Sequence, residues 1–158
     1  MSDYEIRKGK EQDVSELLAL ILELAIYEKE ADAVDITEQQ LAQDIFGPEA
    51  IVDFLVADKE GEIMGIAIFY QKYSTWKGRC LFLEDLVVRE KYRRLGIGKA
   101  LFDKLVAEAR TLGSMRLEWQ VLSWNEPAIQ FYKKINAQLD GEWINCKLDK
   151  DQLEKYKR

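Results

Sequence analysis

The sequence contains no histidine and only two cysteines among its 158 residues. The absence of histidine excludes Ser-His-Asp and Cys-His catalysis and most zinc sites, because these sites need an imidazole. Cys80 and Cys146 both lie in strand-like apolar surroundings. This pattern favours two buried thiols in a reducing compartment over a disulfide framework.

Long hydrophobic runs and an excess of basic residues are also absent. No uninterrupted apolar run approaches membrane-spanning length, and residues 1–5 lack the basic and apolar regions of a signal peptide. The net charge is −6, whereas nucleic-acid-binding proteins usually carry a strong basic excess. We therefore expect a cytoplasmic protein with no membrane or nucleic-acid partner. An acidic field steers cationic substrates but also serves solubility alone, so both interpretations stay open.

The length and composition are those of one globular domain. Hydrophobic residues make up 47% of the chain and charged residues 33%, which is ordinary for a globular protein with a continuous core. The sequence contains no internal repeat, low-complexity tract or linker. We therefore predict a single domain over residues 1–158.

The hydrophobic periodicity predicts an α/β (α+β) fold. Strands at 51–57, 63–70 and 81–88, joined by short turns, indicate an antiparallel meander. A helix separates the last of them from the next strand, 115–122, so these two should run parallel through a right-handed crossover. A further strand is predicted at 4–7. Helices are predicted at 13 to about 28, at 38 to about 46, from the Gly96–Gly98 turn to about 111, and from Asn125 onwards. Strands at 137–139 and 143–148 and a short helical tail complete the prediction.

A basic segment, residues 89–99, lies between the strand 81–88 and the following helix. Gly96 and Gly98 let the backbone approach a ligand closely, and the first N–H groups of a helix lack partners within it. The helix dipole adds partial positive charge there, and five Lys or Arg residues lie in the segment. The segment is therefore predicted to bind phosphate. Arg89 and Lys91 are interpreted as solvated turn residues.

The pattern Arg93-x-x-Gly96-x-Gly98, with Asn125 and Tyr132 downstream, resembles the acyl-CoA motif of the GCN5-related N-acetyltransferases (GNAT). The order of elements over nearly the whole chain is also similar to that family. The resemblance implies the GNAT fold: a mixed, mostly antiparallel central sheet flanked by helices, with a parallel strand pair at the acyl-CoA site. It further implies acetyl-CoA as cosubstrate and direct acetyl transfer to a primary amine in a ternary complex, without a metal.

Within the family, residues 83–85, 124–127 and 131–133 resemble the diamine acetyltransferases, which include spermidine/spermine-type and thialysine-type enzymes. Residues 25–28 match the end of that group's first helix. Ser74-Thr75 before Trp76 departs from the spermine type, which has an acidic residue and a proline there, and resembles the thialysine type. This favours a short diamine or a lysine-like amine. A homodimer is implied by the resemblance alone.

The resemblance assigns Tyr132 as the general acid for the departing thiolate. It implies that Glu84 binds the amine and accepts its proton through water, with Asp85 as a second candidate that strengthens the negative field; Glu84, Asp85 and water alone all stay open as the base. From spacing alone, Tyr132 is as readily a core tyrosine, and Glu84 or Asp85 a member of a structural ion pair. Because neighbours on a regular strand point to opposite faces, Glu84 and Asp85 are not expected to form a carboxylate dyad.

The remaining implied site residues fall into two sets. The amine-binding set is Tyr27, Glu28, Trp76, Glu84, Asp85, Glu142 and Trp143. The cofactor-binding set is Leu86, Val87, Val88, Arg93, Arg94, Leu95, Gly96, Ile97, Gly98, Lys99, Asn125, Glu126, Pro127, Ala128 and Tyr132.

Three hypotheses of function follow. The leading one is an acetyl-CoA-dependent N-acetyltransferase acting on a small diamine or polyamine. The second is the same chemistry on thialysine or another lysine-like amino acid; its substrate carboxylate calls for a basic group in the amine pocket, for which Lys77 is the only nearby loop candidate. The third is a non-catalytic acyl-CoA-binding module, which predicts loss of the tyrosine or of the strand carboxylates, and both are present.

Overall fold

The computed structural model describes residues 3–157. Met1 and Ser2, which belong to the stretch considered for a signal peptide, and Arg158, the last residue of the predicted domain, lie outside the described residues. The strands are β1 (Glu5–Lys8), β2 (Asp53–Lys59), β3 (Glu62–Ser74), β4 (Gly78–Val88) and β5 (Leu117–Trp119). The helices are α1 (Val14–Tyr27), α2 (Glu38–Phe46), α3 (Ile97–Thr111), α4 (Glu126–Lys134) and α5 (Lys150–Lys155).

The five strands form one sheet in the order β1-β2-β3-β4-β5. The first three pairs, from β1–β2 to β3–β4, are antiparallel, and β4 pairs with β5 in parallel. This confirms the predicted mixed, mostly antiparallel sheet with one parallel pair. The parallel pair follows from α3, since a parallel connection needs a crossover long enough to hold a helix.

Helices cover both faces of the sheet. On β2 the consecutive residues 54–57 are fully buried, which a strand with one solvated face would not show. Leu17 and Leu20 of α1 and Leu41 of α2 pack into a core cluster with Phe54, Ile66 and other strand residues. Side chains alternate between faces along a strand, so Gly65 belongs to the other face, where Leu101 of α3 comes close.

The predicted strands at 137–139 and 143–148 are wrong for this structure, since neither segment is a strand. Leu139, Trp143, Ile144 and Leu148 are exposed there. A strand needs a neighbouring strand whose backbone pairs with its N–H and C=O groups. An alternation of apolar side chains does not by itself provide such a partner. Likewise β5 is only three residues long instead of eight, because its ladder to β4 joins residues 117–119 alone.

The chain divides by its internal contacts into two compact units, the first ending at Gln120 and the second beginning at Val121. The first holds the sheet and α1–α3; the second holds α4 and α5. This division does not test the expectation of a single domain, which stays a prediction.

Two further predictions concern membrane-spanning helices and the two cysteines. Between residues 3 and 157, none of the helices combines the length and the hydropathy of a membrane span. Both cysteines are free thiols; Cys80 is buried, but Cys146 is exposed. The prediction that both thiols are buried is therefore wrong for Cys146, because the strand predicted around it is not formed.

Candidate active site

A β-bulge at Glu84 interrupts the pairing of β4 with β3. Asp85 lies opposite Ile68 and Leu83 lies opposite Phe69, so Glu84 is the extra residue between them. The argument that Glu84 and Asp85 point to opposite faces assumed a regular strand, and a bulge re-aims side chains. The Tyr70 hydroxyl of β3 donates a hydrogen bond to Glu84 Oε2 at 3.0 Å. Burial, this bond and the charges of Glu84 and Asp85 together raise the pKa of the Tyr70 phenol to about 12, so both carboxylates act on one phenol.

Two neighbouring carboxylates act on Asp85 at this bulge. Burial, together with the negative charges of Glu84 and Glu28, raises the pKa of Asp85 to about 6. Burial also raises the pKa of Glu28, which caps the C-terminus of α1, where a negative charge opposes the helix dipole. Because the charges acting on Asp85 are negative, this residue is not a member of a structural ion pair. The cluster is suited to bind an ammonium group, which would relieve the repulsion.

Tyr27 and Arg93 connect the end of α1 to the basic segment. The Arg93 guanidinium lies over the Tyr27 ring, 5.5 Å from its centroid. Arg93 Nε also donates a hydrogen bond to the Val88 carbonyl at 3.2 Å. One predicted cofactor residue thus contacts a predicted amine-site residue and the end of β4.

Trp76 stands apart from this arrangement. It lies in the turn between β3 and β4, where Ser74 Oγ accepts hydrogen bonds from the backbone N–H groups of Trp76 and Lys77, each at 3.2 Å. The Trp76 side chain is 79% exposed. The structure therefore does not bury Trp76 against the carboxylates, and its role in amine binding stays a prediction.

The predicted phosphate segment ends at the N-terminus of α3. Gly96 is the N-cap residue with φ 79°, a left-handed conformation that favours glycine, and Arg94 also has a positive φ of 67°. Glycine has no side chain to cap the helix, so the first N–H groups of α3 remain for a ligand. Ile97 is buried and Lys99 Nζ bonds Asp103 at 2.6 Å. These two residues therefore offer their amides rather than their side chains, and Leu95 is exposed.

The end of β4 carries an open backbone edge. The parallel ladder joins Leu81–Leu83 to β5 and stops there, while β4 stays paired with β3 as far as Val88. The backbone groups of residues 86–88 on the side of β5 can therefore accept an added extended chain. Val87 itself is buried in the core cluster, which keeps this edge fixed.

The second unit holds the other predicted residues. The Asn125 side chain caps α4 by accepting a hydrogen bond from the Ala128 N–H at 3.4 Å, and Glu126 and Pro127 form the first turn. Tyr132 is 8% exposed, and burial raises the pKa of its phenol to about 12. Glu142 and Trp143 are exposed and lie in no strand. Their predicted role in the amine pocket, which presumed a strand there, stays a prediction.

Arg89 is not the solvated turn residue that the sequence suggests. Its guanidinium pairs with Glu16 and, at 3.6 Å, with Glu23, both on α1. Its Nε donates a hydrogen bond to the Ile63 carbonyl at 2.9 Å. Arg89 thus fastens α1 to the start of β3. Lys91, by contrast, makes an exposed pair with Glu62 at 2.5 Å.

Two further residues of β3, Tyr70 and Lys72, were not singled out from the sequence. The centroid of the Tyr70 ring lies 5.3 Å from that of the Phe82 ring. Lys72 Nζ also lies 5.3 Å from the Phe82 centroid, and it forms an ion pair with Glu118 Oε1 at 3.5 Å. Tyr70 and Lys72 continue the face of Ile66 and Ile68 at every second residue. These two residues would have been found by extending the predicted strand to Ser74 and aligning it residue by residue with β4.

Comparison with known proteins identifies the class of this fold and site. The acetyltransferase (GNAT) family model matches residues 15–137. A thialysine N-epsilon-acetyltransferase of Bos taurus is 41% identical over 151 residues, 89% of each chain, and that of Caenorhabditis elegans is 35% identical over 159 residues, 99% of this chain and 98% of the relative. A solved integron cassette protein from the mobile metagenome of V. cholerae has a TM-score of 0.80 at 27% identity, covering 98% of both chains.

The chain therefore belongs to the acetyltransferase (GNAT) family. The predicted fold and the prediction of an N-acetyltransferase are confirmed. The family uses acetyl-CoA as its acyl donor. Within residues 3–157 no group of three or more His, Cys, Asp or Glu side chains could hold a metal ion, and the expectation of metal-free chemistry stays a prediction.

We expect Glu28→Gln to lower the pKa of Asp85 from its value of about 6, because the change removes one of the two negative charges that raise it. Carbon-13 NMR titration of the Asp85 carboxyl measures this directly. Glu38→Gln, at the start of α2, is the control and should leave the titration midpoint unchanged. An unchanged midpoint in Glu28→Gln would show that the two carboxylates do not interact.

Proposed function

We propose that this protein transfers the acetyl group of acetyl-CoA to a primary amine on a short aliphatic chain, either a small diamine or polyamine or a lysine-like amino acid. The observation that supports this best is the group of three carboxylates, Glu28, Glu84 and Asp85, two of which carry raised pKa values because of burial. An anionic, partly desolvated group of this kind selects a cation. A sensor that only binds acyl-CoA has no need of it.

The amine must lose a proton before it attacks, since a lysine-like ammonium has a pKa near 10.4. In our proposal the ammonium binds between Glu84, Asp85 and Glu28, and Glu84 accepts the proton, through a water molecule. Asp85 strengthens the negative field and, with a pKa of about 6, is charged at neutral pH. The neutral amine then attacks the thioester carbonyl.

The departing thiolate needs a proton, which we assign to the Tyr132 phenol. Its burial and its pKa of about 12 keep the phenol protonated, as a general acid requires. We further propose that the backbone of Leu86, Val87 and Val88 binds the pantetheine arm, with help from the α4 cap at Asn125, Glu126, Pro127 and Ala128. The amides from Arg94 to Lys99, with the Arg93 guanidinium, bind the pyrophosphate.

Two finer assignments complete the proposal. We propose that the protein acts in the cytoplasm without nucleic-acid or membrane partners, in keeping with its net charge of −6. We also propose a homodimer, in which a second copy covers the exposed apolar side chains of the segment from Leu139 to Leu148. Trp76, Glu142 and Trp143 would then complete the amine pocket.

The decisive experiment measures thiol release from acetyl-CoA with putrescine, spermidine, spermine, thialysine, lysine and a peptide. We expect turnover with at least one of the small amines and none with the peptide, because the sequence gives no indication of a peptide-binding groove. Binding of acetyl-CoA, measured by calorimetry, is the control. Tight acetyl-CoA binding without turnover on any amine would contradict the proposed enzyme and favour a non-catalytic acyl-CoA-binding module.

Tyr132→Phe should lower kcat by about 10²- to 10⁴-fold, the usual contribution of a general acid, with little change in acetyl-CoA affinity. Arg93→Ala is the matched variant and should do the opposite. It removes the guanidinium that bonds the Val88 carbonyl and so should mainly weaken acetyl-CoA binding. Steady-state kinetics with calorimetric Kd values separate the two effects. An unchanged kcat in Tyr132→Phe would remove this residue as the acid, and a pure kcat defect in Arg93→Ala would contradict its role.

One observation favours the lysine-like substrate. The Lys72 ammonium lies over the Phe82 ring, two residues along β3 from Tyr70, which bonds Glu84. Two residues of a strand span about 7 Å, which is comparable to the separation of the side-chain amine and the carboxylate of an extended lysine. Lys72, rather than the turn residue Lys77, thus suits a substrate carboxylate whose amine lies at Glu84.

Lys72→Met should therefore raise the KM for thialysine about tenfold, the loss of one charge-assisted contact worth about 1.4 kcal/mol. The KM for putrescine, which has no carboxylate, should stay the same or fall. Lys77→Met in the neighbouring turn serves as the control. Equal effects on both substrates would exclude Lys72 as the carboxylate-binding residue.

A further inference from the structure

The Tyr70 hydroxyl is held in a fixed place beside the bulged residue of β4. Tyr70 lies opposite Phe82 in the β3–β4 ladder, and the two rings pack at 5.3 Å with a tilt of 33°. This packing orients the phenol, whose hydroxyl donates to Glu84 Oε2 at 3.0 Å. The donor is therefore positioned by the sheet and not by the substrate.

Glu84, by contrast, has little backbone constraint of its own. It is the extra residue of the bulge, and its side chain is exposed. A glutamate in such a place has several rotamers, and fixing one of them costs conformational entropy. A hydrogen bond from a rigid neighbour supplies that ordering before any ligand arrives.

The bond also leaves Glu84 capable of binding a cation. A phenol with a pKa raised to about 12 by burial and by its carboxylate neighbours stays protonated and acts only as a donor to Glu84. An ionised carboxylate offers about four lone-pair sites on its two oxygens. The Tyr70 hydroxyl occupies one site on Oε2 and leaves Oε1 for an ammonium group or a bridging water.

We propose that Tyr70 is a positioning residue of the amine site, which holds Oε2 of Glu84 so that Oε1 is aimed at the substrate ammonium. The inference rests on the proposed function, in which Glu84 binds the amine. It assigns Tyr70 no contact with the reacting atoms; the residue acts through Glu84.

Tyr70→Phe tests this role, because the variant removes the hydroxyl and keeps the ring that packs on Phe82. We expect kcat/KM for the amine to fall about tenfold while the KM for acetyl-CoA stays unchanged. Loss of the donor removes the constraint on the Glu84 rotamer, so the effect should fall on the amine and not on acetyl-CoA. Tyr73→Phe, an exposed tyrosine on the same strand, is the control for both readouts.

A double-mutant cycle with Glu84→Gln distinguishes action through Glu84 from a separate structural effect. If Tyr70 acts through Glu84, then adding Tyr70→Phe to Glu84→Gln causes no further loss, since the charge that the phenol held is already gone. Equal losses in both backgrounds, or an unchanged kcat/KM for the amine in Tyr70→Phe, would overturn the positioning role.

The cycle also separates this inference from the proposed function. If Glu84→Gln lowers kcat/KM for the amine but Tyr70→Phe does not, only the role of Tyr70 is wrong. If Glu84→Gln leaves amine turnover unchanged, the assigned role of Glu84 is wrong and the role of Tyr70 fails with it, while the acetyl transfer stands. If the wild-type protein acetylates no amine, the proposed function itself fails.

Discussion

The repulsion that Glu84 and Glu28 exert on the buried Asp85 carboxylate is the constraint on which the proposed amine site depends. Like charges at short range in a partly desolvated place destabilise one another, so the folded chain must hold them together by other means. The apolar core between α1 and the central strands stabilises this arrangement. A bound cation converts the repulsion into attraction, which is why a site of this kind discriminates strongly in favour of ammonium groups.

The same elements that hold the carboxylates also reach the cofactor segment. Arg89 joins α1 to β3 through Glu16, Glu23 and the Ile63 carbonyl. Four residues further along the chain, Arg93 contacts both Tyr27 and the Val88 carbonyl. The end of α1, the end of β4 and the N-terminus of α3 are therefore fastened at neighbouring points. In the proposed function, amine selection and acyl-donor binding therefore share one support, although they use different side chains.

Periodicity and turn chemistry predicted the antiparallel meander of β2, β3 and β4, the helices and the parallel strand pair, because these follow from local apolar spacing and from the order of the elements; the place of β1 beside β2 was not predicted. The bulge at Glu84 was not predictable in this way, since it depends on how β4 is registered against β3. For the same reason the environments of Tyr70 and Lys72 stayed hidden. The segment from Leu139 to Leu148 shows the opposite error: its alternation indicated strands, but strand formation needs a partner edge that sequence periodicity does not reveal.

The bulge makes the number of residues in β4 as important as their identity. Phe82 and Asp85 are three positions apart, yet both lie opposite residues of one face of β3, namely Tyr70 and Ile68. Removing a single residue here would restore an ideal strand and preserve the apolar ladder on either side. The fold would lose an irregularity, and the proposed amine site would lose the arrangement of Glu84 and Asp85. In the proposed function, the residues that form the sheet and the extra residue that shapes the site thus occupy different positions of the same strand.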